Sequence, residues 1–306
     1  MNVLSLFDGM SCGQIALDQI GVKVNNYFAA EVDKYAIKVT QQNFPGTIHL
    51  GDVKGIKGAD LPEIDLLIGG SPCQGFSFAG KNLNFDDPRS KLFFEYVRLL
   101  KELKPKYFLL ENVRMKKESM DVISEYLGVE PIAINSNLVS AQNRHRLYWT
   151  NIPMDRLPQD KGVVLKNILE GGITDRDKSH CIDANYFKGG NLKSYFEKHR
   201  RQLVFSKDGL CHVGDADLSG NGYIKRVYHP GGKSPTLTTM GGGHREPKVT
   251  TSDVSWRKLT PLECERLQTV PEGYTCGVSN TQRYKMLGNG WTVDVIKHIF
   301  SGLETV

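Results

Sequence analysis

The sequence predicts an α/β protein: a Rossmann-like sheet domain joined to a second, small, irregular β-rich domain. Three observations point there. Residues 3–7 are an apolar run that passes through a Gly-containing turn, Asp8-Gly9-Met10-Ser11-Cys12-Gly13, into a helical pattern of Ile15, Ala16, Leu17 and Ile20. Further short apolar runs each end on an acidic or glycine-containing segment, as strands do whose carboxyl ends face a ligand. From about residue 176 the character changes, and nine glycines fall between Gly209 and Gly243.

The elements follow in order. Residues 27–32 read as a strand ending at Glu31-Val32-Asp33, before a helix over 34–43. After the Pro45-Gly46 turn, residues 47–50 form a short strand that runs into Gly51-Asp52-Val53. Leu66, Leu67 and Ile68 read as a buried strand stopped by Gly69-Gly70, and Pro72-Cys73-Gln74 comes next. A polar loop over 75–88 leads to a helix whose apolar face holds Leu92, Phe93, Tyr96, Val97, Leu99, Leu100 and Leu103; Asp87 or Ser90 caps it and Pro105 ends it. A strand over 107–110 delivers Glu111-Asn112-Val113. A helix over 119–127 and a strand over 131–135 precede Gln142-Asn143-Arg144-His145-Arg146 and a last strand, Leu147-Tyr148-Trp149. Val163 to Leu169 suggests a short helix, and residues 223–228 a β-like run. Thr260, Pro261 and Glu263 have the spacing of a capping box opening a helix that reaches Gln268. Val293, Ile296, Ile299 and Phe300 mark the apolar face of a closing helix. The domains are therefore expected at 1–175, 176–255 and 256–306, with the last helix returning to the first domain.

The 306 residues are 40% hydrophobic and 24% charged, a composition expected of a soluble folded chain. No stretch approaches the ~20 apolar residues of a membrane span. The first apolar run has no basic segment before it, so it reads as a strand and not as a signal peptide. Six widely spaced cysteines suggest free thiols in a reducing compartment and no metal site. The net charge of +5 is unevenly placed. Residues 176–257 hold 14 Lys plus Arg against 8 Asp plus Glu, whereas the remainder holds 25 against 26. That segment suits a polyanion.

Candidate chemistry gathers at the predicted strand ends. Asp8-Gly9, Glu31 and Asp52 are spaced for one adenosine-like ligand laid across three strands, Glu31 accepting from ribose hydroxyls and Asp52 from an adenine amine. Neither a dinucleotide fingerprint nor a triphosphate loop is present. Cys73 is a thiol in a glycine-rich loop past a strand, the setting of a nucleophile. Glu111 is a carboxylate at the tip of an apolar strand, which demands pairing or chemical use. Arg144 and Arg146 share one face of an extended segment and suit one anionic group.

These motifs, in this order, resemble the DNA (cytosine-5) methyltransferases of prokaryotic or phage type. Phe7-Asp8-Gly9 with Gly13 is similar to the first cofactor motif, and Pro72-Cys73-Gln74 to the catalytic Pro-Cys motif. Glu111-Asn112-Val113, the Gln142-to-Arg146 segment, the helix from Thr260 to Gln268 and Leu287-Gly288-Asn289-Gly290 match later motifs. Asp8 and Gly290 depart from the more usual serines. The resemblance implies a mixed sheet that binds S-adenosyl-L-methionine (AdoMet) and a target-recognition domain across a DNA cleft. It implies transfer of a methyl group to C5 of a flipped cytosine through a covalent bond from Cys73 to C6. Glu111 would hold N3 and the exocyclic amine. Arg146 would orient the base at O2, and Arg144 would help hold Cys73, Glu111 or a phosphate. Phe7, Asp8, Gly9, Gly13, Glu31, Val32, Asp52, Val53, Pro72, Leu92, Asn289 and Trp291 would hold AdoMet. Gln74, Ser77, Lys225, Arg226, Lys233, Thr236, Thr238 and Arg245 would meet double-stranded DNA.

The same resemblance implies a cytoplasmic enzyme of a prokaryotic cell or infected host. It would be monomeric by default, and a restriction endonuclease could act on the same sequence separately. A transfer-RNA cytosine-5 methyltransferase shares the Pro-Cys and Glu-Asn-Val motifs but typically carries a Cys-Phe-Thr signature, absent here. A silent DNA-binding homologue would be expected to lose Cys73, Glu111 or the arginines. A dehydrogenase would need the missing dinucleotide fingerprint.

Overall fold

The first strand, β1 (Asn2–Leu6), alternates its side chains between two cores: Val3 joins one, Leu4 and Leu6 the other. The same alternation recurs in β4 (Leu66–Gly69), β5 (Tyr107–Val113) and β7 (His145–Thr150), where Ile68, Leu109 and Tyr148 face one side and Leu67, Leu110 and Trp149 the other. Strands buried on both faces read as continuous apolar runs and need helices above and below. The computed structural model describes residues 1–71, 90–206, 212–215, 226–228, 248–249 and 255–304.

With β2 (Asn26–Ala30), β3 (Ile48–His49) and β6 (Ile132–Asn135), these strands form a seven-stranded sheet in the order β3-β2-β1-β4-β5-β7-β6. Neighbours are parallel except for β7, which runs antiparallel to β5 and β6. The fold is thus the expected Rossmann-like mixed sheet. The helices α1 (Cys12–Gln19) and α2 (Lys34–Asn43) contribute Ile15, Leu17, Ala36 and Val39 to one core. On the opposite face α3 (Ser90–Leu103) and α4 (Lys117–Leu127) contribute Phe93, Tyr96, Leu99 and Ile123.

The strand order reverses between β1 and β4, the place where open α/β sheets bind ligands. The antiparallel β7 adds to that edge. Because it runs backwards, its first residues, not its last, lie beside the end of β5, and Arg146 pairs in register with Val113.

The expected short helix near residue 165 is a single 3-10 turn, Leu165–Asn167. The boundary expected at residue 175 falls ahead of a stretch that still packs into the first core through Ile182 and Tyr186. Beyond it lie α5 (Leu192–Lys198) and β8 (Leu203–Ser206), which pairs antiparallel with β12 (Ser255–Lys258). A small sheet joins β9 (His212–Asp215), β10 (Arg226–Tyr228) and β11 (Lys248–Val249).

The chain then returns through α6 (Pro261–Leu267), α7 (Asn280–Asn289) and α8 (Val293–Phe300). Thr260 caps α6 with the expected box: its hydroxyl accepts from Glu263 N at 3.2 Å, and Glu263 Oε2 accepts from Thr260 N at 2.8 Å. The helix α8 packs against α1 beneath the sheet, as expected for a closing helix. Among the described residues no helix is long and apolar enough to cross a membrane.

Candidate active site

One cavity of about 400 Å³ opens at the carboxyl edge of the sheet. Its wall begins where β1 ends. Phe7 adopts a left-handed backbone (φ 58°), an unfavourable state for a bulky residue that turns the chain sharply at the strand tip. Gly9 follows, and its N–H donates to Glu31 Oε2 at 2.8 Å. Glu31, past β2, accepts from Val32 N and Asp33 N through its other oxygen at 2.7 and 2.8 Å. The cap of α2 is made by Asp33, which accepts from Tyr35 N. Glu31 is thus fixed at the cavity wall beside Phe7 and Asp8.

Asp8 lies between Ser11 and Tyr27, both of which donate to it, Tyr27 over 2.8 Å. Burial pushes its carboxyl up to about 6, against the lowering effect of those hydroxyls.

The other end of the cavity is built by β5, β7 and the C-terminal helices. Glu111 is buried. Its Oε1 lies 2.9 Å from Arg146 Nε, and its Oε2 accepts from Trp291 Nε1 at 3.1 Å. Burial works to lower the Arg146 pKa, but Glu111, Cys181 and Tyr148 together outweigh it and hold the guanidinium above its ordinary value. Gly70 allows this closure, since a Cβ there would come within 3.0 Å of Trp291 Nε1 and 3.2 Å of Glu111 Oε2. Asn289, at the end of α7, completes the wall.

The cavity therefore brings together Phe7, Asp8, Gly9, Glu31, Glu111, Arg144, Arg146, Asn289 and Trp291. Gly13 sits just beneath it, packed against Ile68 and near the Trp291 ring. Four expected contacts stand apart from its described lining. Asp52 is exposed and its Oδ1 accepts from Lys54 N, capping a 3-10 turn. Val53 is buried in the second core, Leu92 packs against that core, and Val32 is 71% exposed.

Cys73 lies outside the described residues; among those, the Arg144 guanidinium turns inward to the carbonyls of Ile182, Gly288 and Gly290 and has no hydrogen bond to Glu111. Burial, with Arg146 close by, pulls its pKa below the arginine norm.

Sequence reasoning missed Lys285 and Asp33, which form an ion pair of 2.7 Å and line the cavity. The available signal was helical spacing, since Lys285 precedes Asn289 by four residues on α7. Pro72, Cys73, Gln74 and Ser77 lie outside the described residues, as do Lys225, Lys233, Thr236, Thr238 and Arg245. Arg226 is described by its backbone, in β10 opposite Asp215.

A model of C-5 cytosine-specific DNA methylases matches residues 1–305. The chain belongs to this family. It is 32% identical to the type II methyltransferase M1.ScrFI of Lactococcus lactis subsp. cremoris, over 97% of this chain and 76% of that one. It is 30% identical to the type II methyltransferase M.NlaX of Neisseria lactamica, over 97% and 94%. Among solved structures, the Entamoeba histolytica methyltransferase EhMeth aligns with a TM-score of 0.70 at 16% identity, over 99% of both chains, a likeness of fold. In this methylase, then, the carboxyl edge carrying Glu31 and Glu111 is the edge where the family fold and the cavity coincide.

Proposed function

We propose that the methylase transfers a methyl group from AdoMet to C5 of a cytosine flipped out of a specific double-stranded DNA sequence. One observation carries the reading: a single cavity runs from Glu31, suited to a ribose, to the Glu111–Arg146 pair, suited to a base. Its volume falls within the range of small-molecule sites. Its donor set also fits AdoMet. Phe7 offers a ring for adenine, Glu31 a fixed carboxylate for ribose hydroxyls, and Asn289 and Trp291 the wall for the methionine part. When bound, AdoMet supplies a methyl on a positively charged sulfonium, which C5 accepts.

The chain's own residues make C5 reactive. The thiolate of Cys73 adds to C6 and pushes an electron pair toward C5 and N3. Glu111 holds N3 and the exocyclic amine while that charge develops. Arg146, fixed by Glu111, orients the base at O2. Loss of the C5 proton and expulsion of Cys73 restore the double bond. Gln74, Ser77 and the basic segment with Lys225, Arg226, Lys233, Thr236, Thr238 and Arg245 grip the DNA. The methylase acts as a monomer in the cytoplasm of a prokaryotic cell or phage-infected host, with or without a separately acting restriction endonuclease.

Bisulfite sequencing of plasmid DNA from cells expressing the chain, beside Cys73→Ala, tests this. Protected cytosines in one short repeated context, lost in the variant, are expected. Folded protein that protects no cytosine in DNA but methylates RNA would move the assignment to an RNA substrate.

A further inference from the structure

Arg144 is buried, and among the described residues no carboxylate is a hydrogen-bond partner of its guanidinium. Nη2 donates to Gly288 O at 3.1 Å and Gly290 O at 2.8 Å, and Nη1 donates to Ile182 O at 3.1 Å. Its other described partner is neutral too, the Cys181 sulfur at 3.4 Å from Nη1; a buried cation held by such dipoles is costly, and Arg146 nearby adds repulsion. A neutral side chain would fill the space more cheaply, so the fork itself is in use. The rigid planar fork fixes the carbonyls at set angles in one plane, which the compact, rotating ammonium of a lysine does not.

Those carbonyls belong to the cavity wall. Gly288 and Gly290 bracket Asn289, and Gly290 precedes Trp291, whose indole donates to Glu111. The same turn is held from other sides. Gln268 Nε2 donates to Leu287 O at 2.6 Å and Gly290 O at 3.2 Å. A Cβ on Gly288 would lie 2.2 Å from the Asp183 carbonyl carbon, so the end of α7 is pressed onto the backbone next to Ile182. Arg144 thus ties three segments together: the approach to β7, the residue 182 backbone and the turn that carries Trp291.

We propose that Arg144 is a positioning residue that acts through the carbonyls of Gly288 and Gly290 to hold Trp291 against Glu111, and that it does not contact nucleic acid. The kinetic part of the test rests on the methyl-transfer reading above; the spectroscopic part does not.

The protein is labelled with 5-fluorotryptophan, and its three tryptophans, Trp149, Trp256 and Trp291, give three fluorine signals. Trp291→Phe identifies the third. In Arg144→Lys the Trp291 signal should shift or broaden, while Trp149, bonded to Ser124 in the second core, should hold its position. The kcat for DNA methylation should fall about 10- to 100-fold, as misplaced catalytic groups do, and the KM for AdoMet should rise. The KM for DNA and its salt dependence should stay as in the wild type. An unmoved Trp291 signal overturns the proposal, as does a raised DNA KM with a salt slope smaller by about one, the mark of a lost phosphate contact. A lower urea midpoint with unchanged kcat per folded molecule would reduce Arg144 to structural support and also overturns it. Should the lysine variant not fold, Arg144→Met, which buries no charge, is measured in its place. A wild type that methylates no DNA defeats the functional reading, and the fluorine signals still decide the role of Arg144.

Discussion

Trp291 closes over Glu111: the indole Nε1 lies 3.1 Å from Oε2 of a carboxylate whose Oε1 lies 2.9 Å from Arg146 Nε. The carboxylate therefore has one donor on each oxygen, from two elements far apart in the chain. Trp291→Phe keeps an aromatic ring, though a smaller one, and removes one donor. A hydrogen bond to a charged group contributes about 1.5–3 kcal/mol, so kcat should fall about 10- to 100-fold. Steady-state methylation assays measure this; an unchanged kcat would show that the indole donor is dispensable.

Gly70 should tolerate nothing larger. Gly70→Ala places a methyl 3.0 Å from Trp291 Nε1 and 3.2 Å from Glu111 Oε2, and one of them must move. Activity should fall at least as far as in Trp291→Phe, while the urea midpoint changes little. A fully active Gly70→Ala would mean that the closure of Trp291 on Glu111 is not needed for turnover.

The pH dependence of stability follows from Asp8. Its carboxyl ionises near 3.8 in the unfolded chain and at about 6 in the fold. Between these values the native state holds more protons than the unfolded one, so stability falls as pH rises through the window. Each unit is worth about 1.4 kcal/mol, which sets an upper limit of about 3 kcal/mol, since the group faces a cavity. Asp8→Asn removes this loss. Its urea midpoint relative to the wild type should rise from pH 4 to pH 6 and level off above; a constant difference would refute the assignment.

The helix after the small domain depends on its cap. Thr260→Ala should cost about 1 kcal/mol, the usual value of an N-cap hydroxyl. Glu263→Ala should cost more in urea unfolding, because Glu263 also accepts from Glu170 N and from Arg257 at 2.7 Å. Equal losses in the two variants would mean that those further partners contribute nothing.

The sheet was legible because strands buried on both faces announce themselves as short apolar runs, and the polar residues that interrupt them mark the carboxyl edge. Glu31 and Glu111 were legible for that reason. Three things were not. The helix α7 has no broad apolar face in sequence, since six of its ten residues are polar, so it and Lys285 went unseen. The direction of β7 depends on pairing between distant strands, and no local pattern encodes it. The carbonyl partners of Arg144 were hidden because a residue's spacing shows which face it shares with Arg146, not which carbonyls the C-terminal turn will bring to it.

The central claim is that Cys73 bonds to C6 of a cytosine while C5 is methylated. It is tested most directly with duplex DNA in which 5-fluorocytosine replaces cytosine. Fluorine takes the place of the C5 proton whose loss frees Cys73, so the adduct cannot resolve. The account predicts a protein–DNA band that survives a denaturing gel with the wild type and AdoMet, and that disappears with Cys73→Ala or without AdoMet. Folded wild-type protein that forms no such band on DNA containing every short sequence context, or a band that persists in Cys73→Ala, would contradict it.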